Sequence, residues 1–198
     1  MKILLSSNKQ IIKNYLKPNS KIGFIPTASE IDTDRWYMEK DRKELLDMGY
    51  NLEIIEITTE TKESILNKFN KVDAIYVAGG NAFYLLQQLK EKDVFKELIE
   101  FANNKLYIGA SAGSCIAGPS IDYLGNLDDK NDAPKLTDYT GLNLINGYIL
   151  PHYKSDEEYS KLIDKTVEEY NDLNFIILTN EQAVITDSRD NYKIVNTD

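Results

Sequence analysis

The sequence predicts an α/β fold, a three-layer α/β/α sandwich around a mostly parallel sheet. Short apolar runs alternate along the chain with longer amphipathic segments, the pattern of a parallel sheet flanked by helices. Several of the runs (IIEI, IYV, FIIL) are close to continuously apolar, as strands covered on both faces require. A chain of 198 residues is also long enough to bury roughly 70% of its unfolded surface in one core, so a single domain over residues 1–198 is expected.

The elements follow in order. Strands are predicted over Lys2–Leu5 and Lys21–Pro26. A helix over Asp34–Met48 carries Tyr37, Met38, Leu45 and Met48 as its apolar positions, and Gly49 stands where a left-handed C-cap belongs. Strand Leu52–Ile57 precedes a helix opened by Thr59 in TETKESILNKF, with acidic residues in its first turn. Strand Ala74–Val77 leads to helices over Ala82–Leu89 and Val94–Ala102, and strand Leu106–Gly109 runs into a turn of small residues followed by a helix. Beyond an irregular stretch from Tyr123 to Gly141, rich in Asp, Asn, Gly and Pro, comes strand Gly147–Leu150. Loops of that length are often functional. The helix over Ser155–Tyr170 shows Ser155-x-x-Glu158 spaced as a capping box. Strands Phe175–Thr179, Ala183–Thr186 and Lys193–Val195 close the chain.

Composition narrows the partners. A formal net charge of −9 with scattered lysines disfavours nucleic acid, which calls for a basic patch. The apolar runs fall far short of the ~20 residues that span a bilayer. MKILLSSNKQ is too short a run for a signal peptide, so no membrane partner and a cytoplasmic location are expected. One cysteine, Cys115, excludes an internal disulfide, and one Cys with one His nearly excludes a structural zinc site. No EF-hand spacing is present, and no metal or cofactor is expected. Cys115 reads as a small buried residue one turn beyond the serine described next.

Gly109-Ala110-Ser111-Ala112-Gly113 is a G-x-S-x-G motif between a predicted strand and a predicted helix. A serine at such a turn adopts strained backbone angles and projects its Oγ above the C-terminal edge of the sheet, where open α/β folds bind ligands. The Ala112 N–H would then face a developing oxyanion. The same small residues would also serve plain strand–helix packing. A serine nucleophile needs a base, and the one histidine, His152, lies just past a predicted strand end in GYILPHYKSD. The acid that orients it has several candidates: Asp128, Asp129 and Asp132 in the irregular stretch, and Glu181 after FIIL. A second small-residue turn, Gly79-Gly80-Asn81, follows the fourth strand and supplies N–H donors at a helix start. It lacks G-x-G-x-x-G and the P-loop lysine, so a nucleotide reading is weak.

VAGGNAFYLLQQL, YIGASAGSCIAGPSI and the LPHY around His152, in that order, resemble the peptidase E (aspartyl dipeptidase) and cyanophycinase family of serine peptidases, and IGFIPTAS fits its second strand. The resemblance implies a class I glutamine amidotransferase-like, flavodoxin-like arrangement of the sheet. It implies Ser111 as nucleophile, His152 as general base, Gly80 and Ala112 as oxyanion donors, and Asn81 beside the substrate's amino end. Asp128 falls where the family has an aspartate linked to activity and is the expected acid, with Glu181 as rival. By ungapped placement Asn180, not Glu181, takes the family's late acidic position. The family's arginine downstream of the histidine is also absent: no arginine lies between Arg42 and Arg189, leaving Lys154 and Lys161 as the nearby cations. The expected partner is a small peptide, on a monomer or homodimer. An esterase or amidase, or a non-catalytic relative holding a small ligand, are the alternatives.

Overall fold

The computed structural model describes residues 2–197. In chain order these form β1 (Lys2–Ser6), β2 (Lys21–Ile25), α1 (Trp36–Asp47), β3 (Asn51–Ile54), α2 (Lys62–Lys71), β4 (Ala74–Val77), α3 (Ala82–Glu91) and α4 (Phe95–Asn104). Then come β5 (Leu106–Gly109), α5 (Ala112–Cys115), β6 (Tyr148–Leu150), α6 (Glu157–Glu169), β7 (Phe175–Ile177), β8 (Gln182–Ser188) and β9 (Asn191–Asn196).

Seven strands make one sheet in the order β3-β2-β4-β5-β1-β8-β9. The first five are parallel, and the β8–β9 hairpin adds antiparallel to β1. Alternation along each strand sends successive side chains to opposite faces. Ile3, Leu5, Ile75, Val77 and Tyr107 pack on one face beneath Phe69 of α2, Leu86 of α3 and Leu98 of α4. Leu4, Phe24, Tyr76 and Ile108 pack on the other beneath Met38 and Leu45 of α1. Phe24 and Tyr76, neighbours in register, stack with centroids 5.4 Å apart. Each such side chain contributes roughly 1.5–3 kcal/mol by leaving water, and helices on both faces give the expected three layers.

Several elements depart from the sequence reading. The helix expected from Thr59 starts later: Thr61 caps α2 by accepting the Ser64 N–H. α6 is capped by Asp156, which accepts the Tyr159 N–H, whereas Ser155 donates its hydroxyl to the His152 carbonyl. The N-cap therefore lies one residue later than expected, and with Tyr159 three residues on, the expected capping box does not form. The helix after Ser111 is four residues long, and the chain leaves it through Gly118 and Pro119. A 3-10 turn over Lys9–Asn14, capped by the Asn8 side chain, had no expectation. Gly49, at φ 84°, is the left-handed C-cap of α1 as expected.

β6 and β7 pair with each other, parallel, outside the main sheet. β1 has β5 on one side and β8 on the other and so offers that pair no free edge. Their pair is held by an aromatic cluster, Tyr123 against Tyr148 and Phe175, each with centroids 5.5 Å apart. No helix among the described residues is long and apolar enough to cross a membrane.

Candidate active site

Strand β5 ends where its neighbours in the sheet also end, and the loops leaving β1, β4 and β5 meet there. The turn after β5 places Ser111 at φ 49° and ψ −112°. That backbone costs of order 1–3 kcal/mol for a residue with a side chain. It is held from several directions. The Ser111 carbonyl accepts the Ser114 and Cys115 N–H groups at 2.8 and 3.0 Å, and Ser114 Oγ donates to the Gly109 carbonyl at 2.7 Å. A Cβ at Gly113 would overlap the Val77 carbonyl, so β4 approaches the turn only because position 113 is glycine. Ser111 is left partly exposed, its Oγ hydrogen bonded to no protein group among the described residues.

The second turn faces it. Gly80 has φ 134°, and a Cβ there would overlap the Ala28 carbonyl. The Asn81 N–H donates to that same carbonyl at 2.9 Å, pinning the turn to the loop after β2. Neither the Gly80 nor the Ala112 N–H has a protein acceptor among the described residues. Asn81 caps α3 by accepting the Tyr84 N–H at 3.0 Å, and its amide donates to the Asp129 carbonyl and to Asp132 Oδ2, both at 2.9 Å. Its side chain thus ties the 128–132 loop to the turn.

One cleft of about 1020 Å³ is lined by Ser111, Gly80, Asn81, Asp128, His152 and Asn180 among others. His152 arrives from β6. Pro151 ends the strand, and His152 itself takes φ 66°. The structure brings Ser111 and His152 to one cleft without a hydrogen bond between them; catalytic contacts often tighten only when substrate is bound. His152 Nδ1 lies 2.6 Å from Asn180 Oδ1 and 3.4 Å from Ser7 Oγ. The Tyr159 ring stands edge-on to the imidazole, centroids 6.2 Å apart.

The expected acid has its hydrogen bond elsewhere. Asp128 Oδ2 instead accepts the Ala82 N–H at 2.8 Å, at the start of α3, and no hydrogen bond joins it to His152. Burial pushes its carboxyl up to about 6; the Ala82 N–H opposes that rise, and the Asp32 and Asp132 carboxylates add to it. Glu181 is exposed, and its backbone carbonyl, not its carboxylate, is engaged, by the Thr197 N–H. Asp129 accepts the Asn131 N–H. The residue that meets the imidazole is Asn180, the one that ungapped placement sets at the family's late acidic position.

Charge in the cleft is unbalanced. Asp32, Asp41, Asp128, Asp129, Asp132 and Asp156 line it against Lys9 and Lys40. Lys9 is ion-paired with Asp41 and lies 3.4 Å from Glu44. Lys40 lies 3.8 Å from Glu44. Lys154 and Lys161 do not line the cleft; Lys161 pairs with Glu157 and Glu158 on α6. Trp36, 64% exposed at the rim, was not singled out by sequence. Cys115 is buried with its thiol pushed far up by that burial, which excludes it as a thiolate nucleophile. No group of three or more potential metal-binding side chains occurs among the described residues.

Comparison with known proteins gives concordant matches. Peptidase family S51 matches residues 2–194. An uncharacterized peptidase of Listeria monocytogenes, Lmo0363, is 39% identical over 173 residues, which are 84% of each chain. Peptidase E of a Nostoc species is 37% identical over 149 residues, 73% of this chain and 57% of the Nostoc protein. The crystal structure of a Listeria monocytogenes EGD-e protein grouped with peptidase E superposes with a TM-score of 0.90 at 33% identity, covering 98% of both chains.

Proposed function

The chain belongs to peptidase family S51, and we propose that within it this protein is a serine hydrolase that removes the first residue from dipeptides or short peptides. The observation that carries the reading is the strained Ser111 turn sharing one cleft with the chain's single histidine. His152 Nε2 takes the Ser111 Oγ proton as Oγ attacks the carbonyl carbon of the first residue. The tetrahedral oxyanion is held by the Gly80 and Ala112 N–H groups, each such donor typically worth ~2.7–4 kcal/mol. Collapse breaks the C–N bond, and His152 returns the proton to the departing amine. Water then attacks the Ser111 ester, giving one proton to His152; the C–O bond breaks and Ser111 regains its proton. No step calls for a metal.

Substrate orientation follows from charge. The free ammonium lies against Asp128 and Asp132, beside the Asn81 turn, so the scissile carbonyl reaches Ser111 only from a chain end. This acidic lining disfavours a second carboxylate on the first residue. Two measurements test the reading. Ser111→Ala should lower turnover of a dipeptide panel by about a thousandfold or more while the circular dichroism stays that of the wild type. A fluorophosphonate probe should label the wild type at Ser111. Full turnover in the variant, or an unlabelled Ser111, would sink the nucleophile assignment. Turnover of p-nitrophenyl esters without any dipeptide cleavage would instead mark a non-peptide hydrolase.

A further inference from the structure

We infer that Trp36, on the cleft wall formed by α1, is a specificity-determining residue that holds a planar side chain of the substrate's first residue, the phenyl of phenylalanine or the guanidinium of arginine. The inference rests on the peptide-hydrolase reading above, with the free ammonium against Asp128 and Asp132. Trp36 lines the cleft and is 64% exposed, the most exposed of the large hydrophobic side chains among the described residues. Tryptophan is covered in most folds. This one is open, yet its mount is firm. The Trp36 N–H donates to Asp34 Oδ1 at 3.1 Å. The Arg35 guanidinium donates to the Glu30 and Asp32 carbonyls, and the Arg35 carbonyl accepts the Met38 and Glu39 N–H groups, both at 3.1 Å. Fixed backbone therefore presents the indole at the rim, and a rigid aromatic gives large contact area at small entropic cost.

A run of contacts joins Trp36 to the ammonium end. Its ring meets the Tyr37 ring edge-on, centroids 6.1 Å apart, and the Tyr37 hydroxyl donates to Asp32 Oδ2. Asp32 lies close enough to Asp128 for its charge to raise the Asp128 carboxyl. Asp128, Asp32, Tyr37 and Trp36 thus follow one another along the lining of one cleft. A first residue anchored by its ammonium at Asp128 sends its side chain along that wall. The methyl of alanine stops short of the indole, whereas a phenyl or a guanidinium reaches it. The cleft has room for this: its 1020 Å³ stands at the upper end of the ~300–1,000 Å³ usual for small-ligand sites. Phenyl and indole pair edge-to-face or as an offset stack, and a guanidinium over the indole face makes a cation–π contact.

Trp36 is the one tryptophan of the chain, so tryptophan fluorescence reports this position alone. The Ser111→Ala protein, holding dipeptides uncleaved, should give a saturable fluorescence change with Phe-Ala and Arg-Ala and little change with Ala-Ala. In otherwise wild-type enzyme, Trp36→Ala should lower the kcat/KM ratios of Phe-Ala to Ala-Ala and of Arg-Ala to Ala-Ala by about tenfold. The loss should fall mainly in KM, as removal of uniform binding requires. Trp36→Phe, which keeps a flat ring, should retain most of both ratios. Ratios unchanged in Trp36→Ala overturn the assignment, and so does a fluorescence that Phe-Ala does not move. A fluorescence shift that follows protein concentration and not ligand, with loss of a dimer in Trp36→Ala, would give this face to a second copy of the chain and overturn it as well. If Ser111→Ala is inactive while both ratios survive loss of the indole, the subsite alone fails. If Ser111→Ala stays active, the nucleophile assignment fails while the selectivity ratios still stand.

Discussion

Asp128 carries a stability consequence with a definite sign. Its folded-state carboxyl is raised to about 6, above the unfolded ~3.9. A raised carboxyl stabilises the fold while protonated, and that contribution is lost as pH rises from the unfolded value through the folded one. Asp128→Asn retains an oxygen for the Ala82 N–H and removes the charge. It should therefore be more stable than wild type at pH 7 by about 1–2 kcal/mol after solvent screening, with the difference gone near pH 4. Thermal melts at the two pH values check this; a gap that persists at pH 4 would assign the effect to packing. An ammonium beside Asp128 draws the carboxyl back down, so wild-type KM should also fall as pH rises through about 6, a limb the variant should lack. At this scale the sequence marked Ser111 and His152 as candidates, through a motif of small residues and a single imidazole, and the fold brings both to one cleft. It did not carry the fate of Asp128, because a carboxylate that caps a helix from a distant loop leaves no mark in spacing. Asn180, which meets the imidazole, was passed over for Asp128 and Glu181 because an amide offers no charge for a sequence reading to weigh.

Elements set how far each of those side chains can reach. The parallel strands were readable because both-face burial leaves continuous apolar runs; helix starts shifted by a residue or two because the cap is decided by backbone angle, not by the presence of a Ser or Thr. The separate β6–β7 pair was not readable, since it depends on β8, later in the chain, occupying the open side of β1. The pair has its own constraint: a Cβ at Gly147 would overlap Ile176 Cδ1. Gly147→Ala should cost about 1–3 kcal/mol through overpacking. Adding Ile176→Val, which removes the offending carbon, should restore part of it even though Ile→Val alone costs about 0.5–1.5 kcal/mol. Urea unfolding of the two single variants and the double gives the coupling. Strict additivity would mean that the two groups do not meet.

For the molecule as a whole, net charge and cleft charge have the same sign. A chain at −9 that also lines its cleft with six aspartates repels anionic ligands before they arrive and draws cationic ones, an effect that salt screens. Dipeptides beginning with a neutral or basic residue should show higher kcat/KM than Asp-X dipeptides, by about tenfold at low ionic strength and less at high salt. Steady-state kinetics on matched pairs decide it; an Asp-X dipeptide as the best substrate would reverse the charge argument. Overall architecture was legible from alternation and run length, whereas the charge of the cleft was not, because its aspartates come from separate loops that only the fold gathers.

The two halves of the proposed chemistry ride on different supports. Ser111 and both N–H donors belong to turns leaving the seven-stranded sheet, while His152 and Asn180 sit together on the two-stranded pair beside it, and no strand ladder joins the two sheets. Any slip between these supports carries the imidazole and its amide as one cargo. Under the proposed mechanism, the gap between the Ser111 oxygen and the His152 imidazole is the one left for the substrate to close.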